Sequence, residues 1–166
     1  MEKPQLSLLV IKHLGAVLLA LGTTSAFAAE SQLLENALSC KLKDSELPAL
    51  MRQLASQQPA FAKPSQQYGA PSADVYRLAK PVSVLGYSSA EVVVTPGRIL
   101  LAVPGEPIGK AIGKLKLQEE AYSPARREVR PTVNVVAFQL SHKTLENKLL
   151  VGCEYQHGEA ARWVQS

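Results

Sequence analysis

Cys40 and Cys153 are the two cysteines of this 166-residue chain, and a thiol pair is the most specific chemistry its residue types offer. The two stand far apart with no C-x-x-C spacing, so a thioredoxin-like redox pair has no motif here. In an oxidising compartment such a pair forms one structural disulfide, which would staple the N-terminal segment to the C-terminal one. Closing so long a loop stabilises the fold by about 4 to 5 kcal/mol in the chain-entropy account.

Other chemistry finds thinner support. Gly105-Glu106-Pro107-Ile108-Gly109-Lys110 follows an apolar run and opens a helical pattern, as a phosphate-cradling loop does. Its glycines are too close together for successive N–H groups to wrap a phosphate, and Ala111 stands where Mg²⁺ would need a hydroxyl. Gly109 and Gly113 read instead as a device for bringing the helix close to a sheet. Beyond a leader that carries off His13, the histidines are His142 and His157. A zinc site would have to fall back on carboxylates such as Glu154 and Glu159, without ligand spacing. No G-x-S-x-G precedes a helix, and Asp44 or Asp74 with His142 or His157 shows no triad signature. Adjacent acids such as Glu119-Glu120 read as a wet face rather than as an acid–base pair. We therefore assign no catalytic residue, no metal ligand and no cofactor.

Recognition is better supplied. Arg126, Arg127 and Arg130, with Lys114 and Lys116 nearby, concentrate positive charge, diluted by Glu119, Glu120 and Glu128. They read either as a docking patch for an acidic partner or anionic envelope surface, or as an ordinary charged loop. Trp163 in the tail Arg162-Trp163-Val164 suits a protein contact or caps the core, and Phe61 and Tyr68 are the large anchors of a polar loop. The overall charge of +4 is too mild for a nucleic-acid binder, which clusters Lys and Arg on one face with stacking aromatics.

These residues follow a leader. Lys3 and Lys12 form a basic n-region, Leu14 to Leu21 an apolar stretch too short to span a bilayer, and Ala26-Phe27-Ala28 an A-x-A cleavage signal. The expected organisation is a secretory signal peptide at 1–28 and a single α+β domain at 29–166, exported by a Sec-type route to the periplasm or outside. Cys40 lies too far downstream to be a lipoprotein cysteine. No later run is long enough to cross a membrane, so no stable insertion is expected after cleavage.

Within the domain, Leu34, Ala37 and Leu38 suggest a short helix, and Leu47, Leu50, Met51 and Leu54 a clearer one capped by Asp44 or Ser45. Residues 57–72 lack either periodicity and read as a long loop, mobile or wrapped on the core. Residues 75–79 and 82–85, one strand bent at Pro81 or two, precede a hairpin at 91–103 turning through Pro96-Gly97. The unbroken apolar runs Val92-Val93-Val94 and Ile99-Leu100-Leu101 predict burial on both faces. Residues 106–117 repeat the helical template, 118–131 read as a charged connection, and 132–141 with 148–156 form a second hairpin. The fold class is α+β: a small, largely antiparallel sheet of about five to six strands, two packed helices and one disulfide. The matching function is non-enzymatic binding of another envelope or exported protein, as an inhibitor, immunity-type protein or accessory factor. The alternative is a small-ligand binder or weak hydrolase with a pocket between sheet and helices. Oligomeric state is not legible.

Overall fold

The computed structural model describes residues 32–55, 64–68, 73–158 and 160, with the main chain alone at 53–55 and 64–68. The expected leader lies outside the described residues. Helix α1 spans 32–38, and its apolar stripe Leu34, Ala37 and Leu38 is buried. A 3₁₀ turn at Asp44–Glu46 follows, closed where the Lys43 N–H donates to Glu46 Oε2 at 2.8 Å. It runs directly into α2, Leu47–Ala55, which buries Leu47 and Leu50.

The strands are β1 (Pro64–Tyr68), β2 (Ala73–Val84), β3 (Tyr87–Thr95), β4 (Arg98–Pro104), β5 (Ala125–Arg130), β6 (Val133–Phe138) and β7 (Lys148–Tyr155), with α3 (Ile108–Leu115) between β4 and β5. They form one antiparallel sheet in the order β1-β2-β3-β4-β7-β6-β5. Two meanders therefore meet at the β4–β7 ladder: the chain runs down β1 to β4, crosses by α3, starts again at the far edge and returns through β6 to β7. Helices and sheet fall in the α+β class expected from the sequence.

Turn chemistry sets the hairpins. Gly97 takes φ +75° after Pro96, so the β3–β4 turn forms where the Pro-Gly pair predicts it. Leu85 and Gly86 both take positive φ, as a two-residue hairpin loop of the primed type demands. β2 is one strand whose register with β3 shifts between Arg77 and Val82, the bend expected at Pro81.

The sheet exceeds the expected size at both edges. β1 lies inside the segment read as a loop, and β5 inside the segment read as a charged connection. Both are edge strands. Apart from Ala125, no β5 residue is buried, so the hydrophobic signature of a strand is missing there and backbone pairing alone defines it. The two glycines of α3 do not approach the sheet as expected: Gly109 and Gly113 are exposed and face open space, while Ala111 carries the packing.

All three helices cover one face of the sheet. Leu38, Leu42, Leu47 and Leu50 pack there in one cluster with Ile99, Leu101, Leu149 and Val151, all fully buried. The other face carries a smaller cluster of Val75, Val93, Leu100, Val136 and Leu150, joined by Leu145 from the β6–β7 connection. The central strands are thus buried on both sides, which explains their unbroken apolar runs.

The junction of the two meanders is tight. A Cβ placed on Gly152 of β7 would lie 2.3 Å from the Ile99 carbonyl oxygen and 2.8 Å from the Leu100 Cα, both backbone atoms of β4. Gly152→Ala is expected to lower the unfolding free energy by roughly 2 to 4 kcal/mol, since neither atom can move without breaking the central ladder. Urea denaturation checks this; a change below about 0.5 kcal/mol, the range of a neutral surface substitution, would contradict the close approach.

Candidate functional site

Three contacts fix residues 37–44, the end of α1 and the segment after it, to the second meander. Cys40 and Cys153 are joined by a disulfide with a Cα–Cα distance of 5.2 Å and a sequence separation of 113, the pairing expected from the sequence. Two residues along β7, on the same face, the buried Tyr155 hydroxyl donates to the Ala37 carbonyl at 2.7 Å. Arg130, at the end of β5, donates from Nη2 to the Leu42 carbonyl at 2.5 Å and lies 3.4 Å from Asp44 Oδ1. The helix layer is thereby held to β5 and β7.

On the opposite face, at the β5 edge, lies a cleft of about 510 Å³ lined by Gln118, Glu120, Arg126, Arg127, Glu128, Thr132, Asn134 and Gln156. Strand alternation accounts for its floor. Val133 and Val135 belong to the helix-side core, so Asn134 and its β5 neighbours Glu128 and Arg126 point the other way. One wall comes from the chain leaving α3. Lys116 ends that helix in the left-handed conformation, and Gln118 then makes a one-residue bridge to Arg126, with N–O distances of 2.8 and 2.9 Å. Arg126 donates from Nη2 and Nε to Glu120 Oε1 at 2.8 and 3.1 Å. At the far end the Gln156 N–H donates to the Thr132 carbonyl at 2.7 Å. Thr132 is β-branched and has φ +66°, a strained geometry held in the turn between β5 and β6. Tyr122, also at positive φ, stands fully exposed on the neighbouring loop.

Every residue lining the cleft is polar. It offers guanidinium and amide donors with carboxylate and amide acceptors, and its lining includes no imidazole, thiol or serine hydroxyl. This inventory suits recognition by hydrogen bonds and charge.

A second depression of about 380 Å³ adjoins it, lined by Pro96, Gly97, Glu154, Tyr155, Gln156, His157 and Gly158. Glu154 connects the two: Arg98 donates to its Oε1 from Nη2 and Nε at 2.7 and 2.8 Å, and Asn134 and Gln156 each reach its Oε2 at 3.3 Å.

Of the arginines singled out from the sequence, Arg126 and Arg127 reach the cleft. Arg130 sits on the helix side, as does the Arg127 guanidinium, whose Nε donates to the Leu115 carbonyl at 2.9 Å. Phe61 and Trp163 lie outside the described residues, and Tyr68 is described by its main chain alone, at the end of β1. His142 caps its own turn: its carbonyl accepts from Leu145 and Glu146, and its Nδ1 from the Thr144 N–H. Among the described residues no group of three or more His, Cys, Asp or Glu is placed to hold a metal ion. Nor is any helix among them long and apolar enough to cross a membrane. Sequence reasoning missed Thr132 in the β5–β6 turn, Asn134 on β6 and Gln156 just past β7, which share no local motif.

Comparison with family models, with curated proteins and with solved structures finds no match to this chain.

Burial raises the Tyr155 phenol well above its usual range, with Asp44 and Glu46 adding to the effect and Arg130 opposing it. Burial, then Asp74, pushes Tyr76 up to about 12. A phenol whose pKa is raised by folding contributes stability that is fully present below the unfolded value of about 10 and is lost as pH rises through the folded value. Unfolding free energy is therefore expected to fall steadily above about pH 10. Tyr155→Phe should cost about 1 to 3 kcal/mol at neutral pH, by removing the shorter of the two hydrogen bonds to the Ala37 carbonyl, the other coming from the Cys40 N–H at 3.3 Å, and should flatten the alkaline decline. Urea titrations from neutral to strongly alkaline pH check both effects; parallel profiles for the two proteins would contradict the assignment.

Proposed function

We propose that this chain is an exported, non-catalytic binding protein of the bacterial envelope, of the inhibitor, immunity-type or accessory class, and that its partner docks on the β5 side of the sheet. The observation that carries this reading is the all-polar cleft with Arg126 and Arg127 at an exposed sheet edge. Its volume falls in the range of small-molecule sites, but those are lined mainly by apolar and aromatic side chains around a few polar groups. A lining of charged, amide and hydroxyl groups resembles the rim of a protein interface, where charge complementarity guides and orients association. The fully exposed Tyr122 beside it is the residue type that anchors such contacts. The leader motif at 1–28 supports export through a Sec-type route, and the Cys40–Cys153 disulfide fits a periplasmic or extracellular compartment.

Affinity capture from envelope extract with the disulfide-intact protein tests the reading. One enriched protein is expected, depleted about tenfold or more when Arg126→Glu and Arg127→Glu are combined in a chain of unchanged thermal stability. An empty lane with the unaltered protein would overturn it, and so would retention of the same protein by the charge-reversed chain.

A further inference from the structure

The outer edge of β5 is only partly paired. Arg126 exchanges both of its outward backbone bonds with Gln118, on the side away from β6. In an antiparallel ladder the outward positions alternate, so the N–H and C=O of Glu128 point the same way. The Gln118 bridge stops after one residue, and among the described residues nothing pairs with those Glu128 groups. The register with β6 shifts between Glu128 and Arg130, and the extra residue, Val129, leaves its side chain 40 % exposed.

An unpaired edge is a template for any extended chain, and natural proteins commonly protect such edges with charge. The charge on β5 is net positive, three arginines to one glutamate: the strand reads ARREVR. Pairing of β5 with a second copy of itself, antiparallel about Glu128, would set Arg126 opposite Arg130, and like charges directly opposite are destabilising. An acidic strand meets the reverse situation. Arg126 is already engaged by Glu120, and Arg130 faces Asp44. Arg127 donates to a backbone carbonyl and has no carboxylate partner among the described residues, so most of its donors remain available.

We infer that the β5 edge binds an extended, acidic segment of a partner protein by strand addition, with backbone bonds at Glu128 and a carboxylate set against Arg127. Main-chain bonds give such a complex its affinity, and the alternating side chains give its specificity. The inference rests on the proposed function and specifies the partner's chemistry for the same side of the sheet. The net positive edge disfavours a second copy, which would set Arg126 against Arg130, and favours a strand of opposite charge.

The probe is a short synthetic peptide alternating Glu and Val, added to the ¹⁵N-labelled, disulfide-intact protein. Binding is expected to slow hydrogen exchange of the Glu128 N–H about tenfold or more, and a peptide with Lys in place of Glu should bind at least about tenfold more weakly. Two further peptides carry N-methyl groups on one or the other alternate set of amides. Only one set faces β5, so one methylated peptide should lose binding about tenfold or more and the other should retain it. Arg127→Gln should weaken the Glu peptide several-fold while tightening any binding of the Lys peptide, narrowing the difference between the two.

Equal binding by both methylated peptides would overturn the inference, as would shifts centred on Asn134 and Gln156 in place of β5, or no binding at about 1 mM peptide. Concentration-dependent protection of Glu128 without peptide would overturn it too, by showing that a second copy occupies the edge. If the envelope capture enriches a partner while the peptide fails, strand addition falls and the binding function stands.

Discussion

The covalent and hydrogen-bonded pin between residues 37–44 and the second meander is the interaction on which the rest of this structure depends. A sheet whose central strands are apolar on both faces needs a cover on each, and on one face that cover is made of three short helices. Helices this short have little stability of their own, so their position must be imposed by tertiary contacts. The disulfide supplies that constraint at one point, the Tyr155 to Ala37 bond lies two residues away along β7, and the Arg130 to Leu42 bond adds a third from the edge strand. Since all three reach β5 and β7, the helix layer and the strands that frame the cleft are positioned together.

A second constraint follows from topology. The two meanders pair as strands at β4 and β7, and there Gly152 lets the backbones approach more closely than any side chain would permit. The crossover through α3 sends β5 to an edge, far from β4 in the strand order although next in the chain. An edge position frees one side of β5, and the charged sequence of that strand then decides what may pair with it. The salt bridges of Glu154 with Arg98 and of Glu91 with Lys148 lie on this same side of the sheet, beside the small apolar cluster. The first ties the neighbouring strands β4 and β7, and the second reaches from β3 across β4 to β7.

Much of the scaffold was legible in the residues. Cys40 and Cys153 had no other chemistry open to them in an oxidising compartment, and Cys153 falls on the inward register of a strand whose alternation is plain. Pro96-Gly97 marked its turn because only a positive φ completes that geometry, and the burial of Val92 to Val94 on both faces followed from their unbroken run. The edge strands were not legible. The composition of β5, ARREVR, is what solvent exposure demands, and it hides the backbone pairing that makes it a strand. The glycines of α3 misled for a related reason: the short apolar stripe around Ala111 does the packing, and the glycines sit on the wet side. The cleft itself draws on four separate stretches of chain, so only the tertiary register brings Asn134, Gln156 and Arg126 together.

The N-terminal pin is expected to organise the second meander and with it the β5 edge. Native-state hydrogen exchange of Cys40→Ala/Cys153→Ala, compared with the disulfide-intact protein, tests it most directly. Protection at Val135 and Val151 and through α1 should fall at least about tenfold more than at Val92 and Val94 in the first meander, because opening units follow the supersecondary structure. An equal fall across both meanders, or unchanged protection of β6 and β7, would contradict it.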